Sequence, residues 1–216
     1  MTRTIRAIIA AALAAVGVGG TGMADDAPKA GKAVPPGTPL ALTISGTAKY
    51  AFDAGPLTPE HYKKLLDTAA TPAKKPAFGD KLPTPPAVDL TVEVTNTSDK
   101  AVTLWKAGDP VVLTLTLSGK GAVNLSPPMA MTLEFRTPVE TTLDAGKSHA
   151  FTVKTLRSGM RGITQSSYWT APGEYELTAT LKTGMRPAPK GAKDFDGFGV
   201  VTVTSPAFKI TVTDKK

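Results

Sequence analysis

The residues suited to acid–base or nucleophilic chemistry are few in this sequence. Its 216 residues include two histidines, His61 and His149, and no cysteine. Ser-His-acid catalysis needs a histidine that activates a nucleophile, and no Gly-x-Ser-x-Gly turn accompanies either histidine. Paired carboxylates cleave glycosides without histidine, but the 18 acidic residues are spread along the chain without a recognisable pair. The sequence therefore predicts no catalytic residues and a protein that is not an enzyme.

Metal chemistry is the next candidate, because four residues are of types that copper accepts: Met129, Met131, His149 and Met160. The absence of cysteine excludes thiol catalysis, cysteine-ligated zinc, iron–sulfur clusters and the cysteine ligand of blue-copper sites. Methionines at alternating strand positions usually fill a core, and no ligand spacing recurs. We expect no metal and no cofactor, and a metal-binding envelope protein remains an alternative.

A D-x-D-G fragment at Asp194, Asp196 and Gly197 offers two carboxylates to calcium. An EF-hand loop that begins at Asp194 requires a glutamate at its twelfth position, where this chain has Ser205. The fragment is therefore more typical of an Asp/Gly turn before the last strands. A looser calcium site that uses both aspartates is left open.

Residues 157–169 form the polar stretch most typical of a binding surface. We interpret them as a loop between strands, and loops of a sandwich commonly carry its binding residues. Arginine, tyrosine and tryptophan are the usual contact anchors. Two alternatives stay open, because Trp169 could pack under a corner at Tyr175 and Arg161 could bond loop carbonyls. The candidate ligand-binding residues are Arg157, Arg161, Tyr168 and Trp169.

Net charge and glycosylation signals add little to this list. Removal of residues 1–24 takes away Arg3 and Arg6, so 25 basic residues become 23 against 18 acids, a net charge of +5. The lysines are scattered rather than arranged in a stripe with interleaved aromatics, which argues against nucleic acid as a partner. Asn96 and Asn124 match the N-glycosylation pattern and are interpreted as turn residues.

The elements that would position these residues are mostly strands. Val88, Leu90, Val92 and Val94 alternate with polar residues, and similar alternation recurs to the end of the chain. The one helix signal begins with Thr58 as cap and should end near Ala69 or Ala70, inside a long N-terminal connection. A Pro-rich loop follows over residues 71–86. The pattern predicts an all-β, antiparallel immunoglobulin-like β-sandwich with one short helix, as a single domain over residues 40–214.

The first 24 residues have the three parts of a secretory signal peptide. Arg3 and Arg6 precede an apolar run that ends well short of the ~20 residues needed to span a bilayer, and Gly22-Met23-Ala24 is a small-x-small cleavage site. Without a cysteine at that site a lipid anchor is excluded. We therefore expect export to the periplasm or the outside without a transmembrane anchor, followed by a disordered leader over residues 25–39.

Two segments resemble those of known exported proteins. Ala171-Pro-Gly-Glu-Tyr-Glu-Leu-Thr-Ala179 resembles the strand entry of many bacterial immunoglobulin-like sandwiches, in which the tyrosine packs at a sheet corner. Val92-Glu-Val-Thr-Asn-Thr-Ser-Asp-Lys100 resembles a hairpin of the same group. The chain is similar over most of residues 40–213 to an uncharacterised family of exported bacterial sandwich proteins. The resemblance implies the fold and export, and no activity.

These observations favour an exported, non-catalytic binding module of the cell envelope whose partner is a protein or a glycan. A protease inhibitor that acts through sandwich loops is the first alternative, with residues 157–169 as the inserted loop. The metal-binding envelope protein is the second.

Overall fold

The structure, a computed structural model, describes residues 37–71, 82–126, 135–160 and 163–215. Fourteen strands and one helix are present in these ranges. Their bounds are β1 Leu40–Gly46, β2 Lys49–Ala51, α1 Pro59–Ala70, β3 Ala87–Asn96, β4 Val102–Ala107, β5 Val112–Ser118, β6 Ala122–Leu125, β7 Val139–Leu143, β8 Ser148–Thr155, β9 Arg157–Met160, β10 Ile163–Trp169, β11 Gly173–Arg186, β12 Lys193–Phe195, β13 Phe198–Thr204 and β14 Phe208–Thr213. The predicted all-β, antiparallel immunoglobulin-like class with a single short helix is confirmed.

Three sheets share the strands. The first has the order β1-β3-β8, and the third, β6-β10-β9, is built around the hairpin that ends at Trp169. In the second sheet, the long strand β11 pairs with β5 and β4 along one edge and with β14 and β13 along the other. Strand β7 extends this sheet beyond β4, and β2 adds to β14 in the one parallel pairing among the described strands.

One apolar core joins the sheets, because alternate side chains of facing strands turn inward. Leu90, Val92 and Val94 of β3 are at most 1 % exposed, as are Leu177 and Leu181 of β11. Burial of each such side chain contributes about 1.5–3 kcal/mol to the free energy of unfolding. The predicted alternation over these strands is confirmed.

Helix α1 begins and ends where the sequence predicts. The Thr58 side-chain oxygen accepts a hydrogen bond from the backbone N–H of His61 at 3.3 Å, and Pro59 occupies the first turn. Tyr62 and Leu66 are buried on the inner face, and the helix packs against β6. The Tyr62 ring also meets Phe52 edge to face, with centroids 5.9 Å apart. These contacts fix the helix beside the short strand β2.

The corner that precedes β11 has the predicted tyrosine. The Tyr175 hydroxyl donates to the carbonyl oxygen of Ala171 at 2.7 Å, which closes the turn before the strand. Burial raises the pKa of this hydroxyl, so it stays protonated and available as a donor at neutral pH.

Residues 157–169 do not form the predicted loop, as far as the structure describes them. They form the hairpin β9–β10, in which Ile163 pairs with Met160 and Ser166 pairs with Arg157. Side chains connect this hairpin to the free edge of β5: the Ser158 hydroxyl accepts from the Leu115 N–H at 2.8 Å, and Gln165 donates to the Leu115 carbonyl at 2.8 Å. The polar residues that suggested a loop in the sequence therefore belong to a hairpin, and their side chains form hydrogen bonds with the backbone of β5.

Other local predictions also need correction. Strand β7 was not predicted, because its mostly exposed residues lack apolar alternation. Asp194 belongs to β12 rather than to a turn, and the turn starts after Phe195.

The two N-glycosylation matches are structural amides at strand positions. Asn96 ends β3 and its side-chain oxygen accepts the Ser98 N–H in the turn that follows, as predicted, whereas Asn124 lies within β6 rather than in a turn. The buried Asn96 amide nitrogen donates to the carbonyls of Lys100 and Leu143 at 2.7 and 3.0 Å. The Asn124 side chain bonds both the N–H and the carbonyl of Leu117, as a neighbouring strand would.

Candidate functional site

The structure separates the residues that the sequence grouped as one binding loop. Arg157 is exposed at the start of β9, whereas Tyr168 and Trp169 at the end of β10 are 2 % and 3 % exposed. Arg161 lies outside the described residues. Tyr168 and Trp169 are therefore not on an exposed loop, because the hairpin carries them under other elements, and their part in ligand binding stays a prediction.

Trp169 instead lines a cleft of about 560 Å³. We call it the aromatic cleft, and define it by Tyr50, Tyr62 and Trp169 together with residues 53–57 and 83–87. These residues come from β2, the connection into α1, the helix itself, the segment before β3 and the end of β10. The cleft therefore forms only when elements that are distant in the chain come together. Its volume is within the range of ligand pockets, about 300–1,000 Å³.

Two of the rings that line the aromatic cleft are stacked. Trp169 lies against Tyr50 with centroids 5.5 Å apart and an interplanar angle of 26°. On another side, it packs against the Tyr175 corner with centroids 6.3 Å apart. The alternative that Trp169 packs at this corner is therefore confirmed, and the same ring also lines the cleft.

Tyr168 positions the proline segment of the cleft. Its hydroxyl donates to the carbonyl oxygen of Pro83 at 3.0 Å, and the backbone N–H of Leu156 donates to the carbonyl of Pro86 at 3.0 Å. Proline rings restrict the backbone between these two bonds. Pro83, Pro85 and Pro86 therefore present a preformed apolar surface to the cleft.

The charge at the cleft is already neutralised. Asp53 is the one ionisable carboxylate among the described lining residues. Its side chain accepts hydrogen bonds from the Lys215 ammonium at 2.7 Å and from the Gly55 N–H at 2.8 Å. The Lys215 bond is the main reason that the pKa of Asp53 is lowered. The cleft thus has one carboxylate, which is already paired, among mostly apolar lining residues.

The tyrosine hydroxyls of the cleft stay protonated at neutral pH. Burial raises the pKa of both Tyr50 and Tyr62. The Tyr50 hydroxyl also accepts the backbone N–H of Asp89 at 3.2 Å, which ties β2 to β3. Sequence analysis did not identify Tyr50, Tyr62 or the proline segment, although aromatics close to a Pro-rich stretch were a usable signal.

Neither histidine lines the aromatic cleft. His61 is exposed on α1, and His149 meets Phe151 edge to face with centroids 4.9 Å apart. Within the described ranges, no group of three or more His, Asp or Glu residues could hold a metal ion. Asp194 in β12 and Asp196 in the turn that follows are both exposed. Of the proposed copper ligands, Met129 and Met131 lie outside the described residues.

In the part of the chain that the structure describes, no helix has the length and apolarity needed to cross a membrane. Comparison of the sequence with protein-family models and with curated proteins finds no match. The resemblance to exported bacterial sandwich proteins therefore stays a prediction, and the fold and the aromatic cleft are the basis for a functional proposal.

Proposed function

We propose that this protein is an exported, non-catalytic binding module of the cell envelope, and that its ligand occupies the aromatic cleft. The observation that carries the proposal is a preformed pocket of about 560 Å³ that is lined by the stacked rings of Tyr50 and Trp169. Concave, largely apolar pockets with a few oriented polar groups are the usual form of ligand sites.

Of the two expected ligand classes, the cleft favours a protein over a glycan. A glycan needs hydrogen-bond partners for its many hydroxyls, and two of the polar groups that line the cleft are engaged within the protein. Asp53 is paired with Lys215, and the Tyr50 hydroxyl accepts from Asp89. An apolar or Pro-containing peptide segment needs mainly ring and aliphatic contacts, which Tyr50 and the proline segment supply.

Export rests on the sequence of residues 1–24 alone. Arg3 and Arg6, the apolar run that follows and the cleavage site at Gly22-Met23-Ala24 support it. The direct test is cell fractionation with mass spectrometry of the mature chain, which should begin at Asp25. A cytoplasmic chain that retains residues 1–24 would contradict the envelope location.

Trp169 provides a direct reporter of the cleft, because the chain has only two tryptophans. In a Trp105→Phe background, Trp169 fluorescence would be titrated with Pro-containing apolar peptides and, separately, with neutral oligosaccharides. We expect a saturable change with a peptide, weakened about tenfold by Tyr50→Ala, since a lost aromatic contact is worth about 1–1.5 kcal/mol. Phe135→Ala removes an exposed ring that does not line the cleft and is the matched control.

Three outcomes would overturn the proposal in this form. The first is no saturable response to any peptide, and the second is equal affinity in Tyr50→Ala and the parent protein. The third is a response to oligosaccharides alone, which would replace the protein ligand by a glycan.

The two alternative functions have less support from the described residues. A protease inhibitor needs an exposed loop, and Tyr168 and Trp169 of the expected loop are buried. A metal-binding role needs clustered ligands, and none are clustered among the described residues.

A further inference from the structure

A second cavity, of about 470 Å³, lies at the side of the sandwich. The end of β4, the start of β5, Phe151 of β8 and the strand β9 line it, together with Arg136. It shares no lining residue with the aromatic cleft. We call it the cationic cavity, because three positively charged side chains line it: Lys106, Arg136 and Arg157.

No carboxylate is among the described residues that line the cationic cavity. The three cations take part in none of the ion pairs formed between described residues. Asp109 lies close by in the chain, but its carboxylate accepts the backbone N–H of Arg136 at 2.8 Å. The Asp109 N–H in turn donates to the Arg136 carbonyl at 2.9 Å. This reciprocal pair holds the backbone that carries Arg136.

The uncharged lining of the cavity is mixed. Val111, Leu113 and Phe151 supply apolar side chains, and Ser158 and Thr164 supply hydroxyl groups. His149 packs edge to face on Phe151; burial, and next the charge of Lys106, lower the pKa of His149. Lys106 therefore acts on this neighbouring imidazole, although less strongly than burial does.

We propose that the cationic cavity binds a small amphipathic anion: a phosphate monoester that carries an apolar group. Lys106, Arg136 and Arg157 contact the phosphate oxygens, since arginine and lysine are the usual phosphate partners and arginine bonds them in a bidentate manner. Val111, Leu113 and Phe151 contact the apolar group. The volume suits one aryl or short alkyl group with its phosphate rather than a polymer.

The experiment titrates the full mature chain with phenyl phosphate by calorimetry at low ionic strength. Inorganic phosphate and phenol test the two halves of the ligand separately. We expect phenyl phosphate to bind at least about tenfold more tightly than either half, because charged and apolar contacts act together. Lys106→Gln and Arg157→Gln should each weaken binding about tenfold, as expected for a lost charge-assisted hydrogen bond.

Lys209→Gln is the matched control, because it makes the same change in net charge on β14, away from the cavity. It should leave the affinity within about twofold, and thermal melts should confirm that every variant folds. Equal loss in Lys209→Gln and Arg157→Gln would show attraction by net charge alone and overturn the site. Phenyl phosphate that binds no better than inorganic phosphate would also overturn it.

Two further measurements identify the source of the phosphate group and test whether the cationic cavity acts independently of the aromatic cleft. Vesicles that contain phosphatidic acid test whether the phosphate belongs to a lipid headgroup. If the protein binds these vesicles and Arg157→Gln abolishes the binding, the site is supported with a lipid ligand. If the protein binds phenyl phosphate but not the vesicles, the site is supported with a soluble ligand. Failure of both probes overturns it. Tyr50→Ala should leave phenyl phosphate binding intact, so failure of the aromatic cleft and failure of this site are distinguishable.

Discussion

The rings of Tyr50 and Trp169 stack with centroids 5.5 Å apart and planes inclined by 26°. Tyr50 lies in the three-residue strand β2, which is held by parallel pairing with Val212 of β14. Trp169 ends β10, where it pairs with Ala122 of β6. The aromatic cleft therefore depends on strands from both ends of the described chain.

This stacking should appear as a coupling energy. In a double-mutant cycle, Tyr50→Leu and Trp169→Leu should be non-additive by about 1 kcal/mol, since aromatic pairs contribute about 0.5–1.5 kcal/mol beyond the area they bury. Urea unfolding of the two single variants and the double variant measures it. The control cycle combines Tyr50→Leu with Trp105→Leu, whose rings form no pair, and should be additive. Additivity in both cycles would contradict an energetic role for the stack.

Asn96 should be more important for stability than an exposed turn residue. Its side-chain oxygen accepts from the N–H and hydroxyl of Ser98, and its nitrogen contacts the carbonyls of Lys100, Leu143 and Asp144. Asn96→Ala should cost about 2–3 kcal/mol, because the buried carbonyl of Leu143 loses its donor and the turn loses its other side-chain hydrogen bonds. Asn96→Asp should cost at least as much, since an oxygen then faces those carbonyls.

Urea unfolding measures the free energy of unfolding of both Asn96 variants, provided that its dependence on urea concentration has the same slope as in the parent protein. Asn124→Ala offers a comparison at an exposed position and should cost about 1 kcal/mol. A loss below about 1 kcal/mol for Asn96→Ala would contradict the role of the buried amide.

The ring of Trp105 lies so close to Gly184 that it leaves no room for a side chain there. A Cβ atom at Gly184 would lie 2.3 Å from Cε3 of Trp105, well inside van der Waals contact. Trp105 cannot move away freely, because Phe198 packs on it with centroids 4.5 Å apart. Gly184→Ala should therefore cost about 1–3 kcal/mol of stability, as overpacking does.

The Trp105→Leu background tests the cause. There, Gly184→Ala should cost less than about 1 kcal/mol, because the smaller side chain makes room for the methyl group. Thermal or urea unfolding of the four proteins gives both values. An equal cost in the two backgrounds would point to the backbone at Gly184 instead of the ring.

His149 should make stability depend on pH. Its pKa in the folded protein is lowered, first by burial and then by Lys106, below the value of about 6.5 expected for an unfolded chain. The unfolded chain therefore binds the proton more readily. The stability contributed by neutral His149 is fully present above about pH 6.5 and is lost as the pH falls through the folded-state pKa.

Urea unfolding between about pH 7 and pH 5 measures this dependence. His149→Gln should flatten the pH dependence in this window, and Lys106→Gln should flatten it in part. An NMR titration of the His149 ring gives the folded pKa directly. A value at or above about 6.5 would contradict the effect.

Local patterns predicted the fold well where one face of an element is buried. The alternation of Val88 to Val94 and of Tyr175 to Leu181 indicated strands that the structure contains. The cap at Thr58 marked the start of α1, and the turn before Tyr175 marked a corner. Strand β7 escaped prediction because exposed edge strands leave no apolar period.

The candidate site could be predicted only in part. The sequence identified Arg157, Tyr168 and Trp169 by residue type, and all three lie at or next to a cavity. It did not show that Trp169 lines the aromatic cleft while Arg157 lines the cationic cavity. Nor did it show that Tyr168 is buried under Pro83, because that contact joins residues far apart in the chain.

By itself, the sequence determined the all-β class, the helix with its cap and the residue types available for binding. These properties depend on side-chain period and on neighbours a few residues away. The tertiary structure alone decided which of those residues are buried and which share a cavity. Trp169 stacks on the ring of Tyr50, which lies in a strand far away in the chain. Residues 157–169 by themselves therefore carry no signal of this contact.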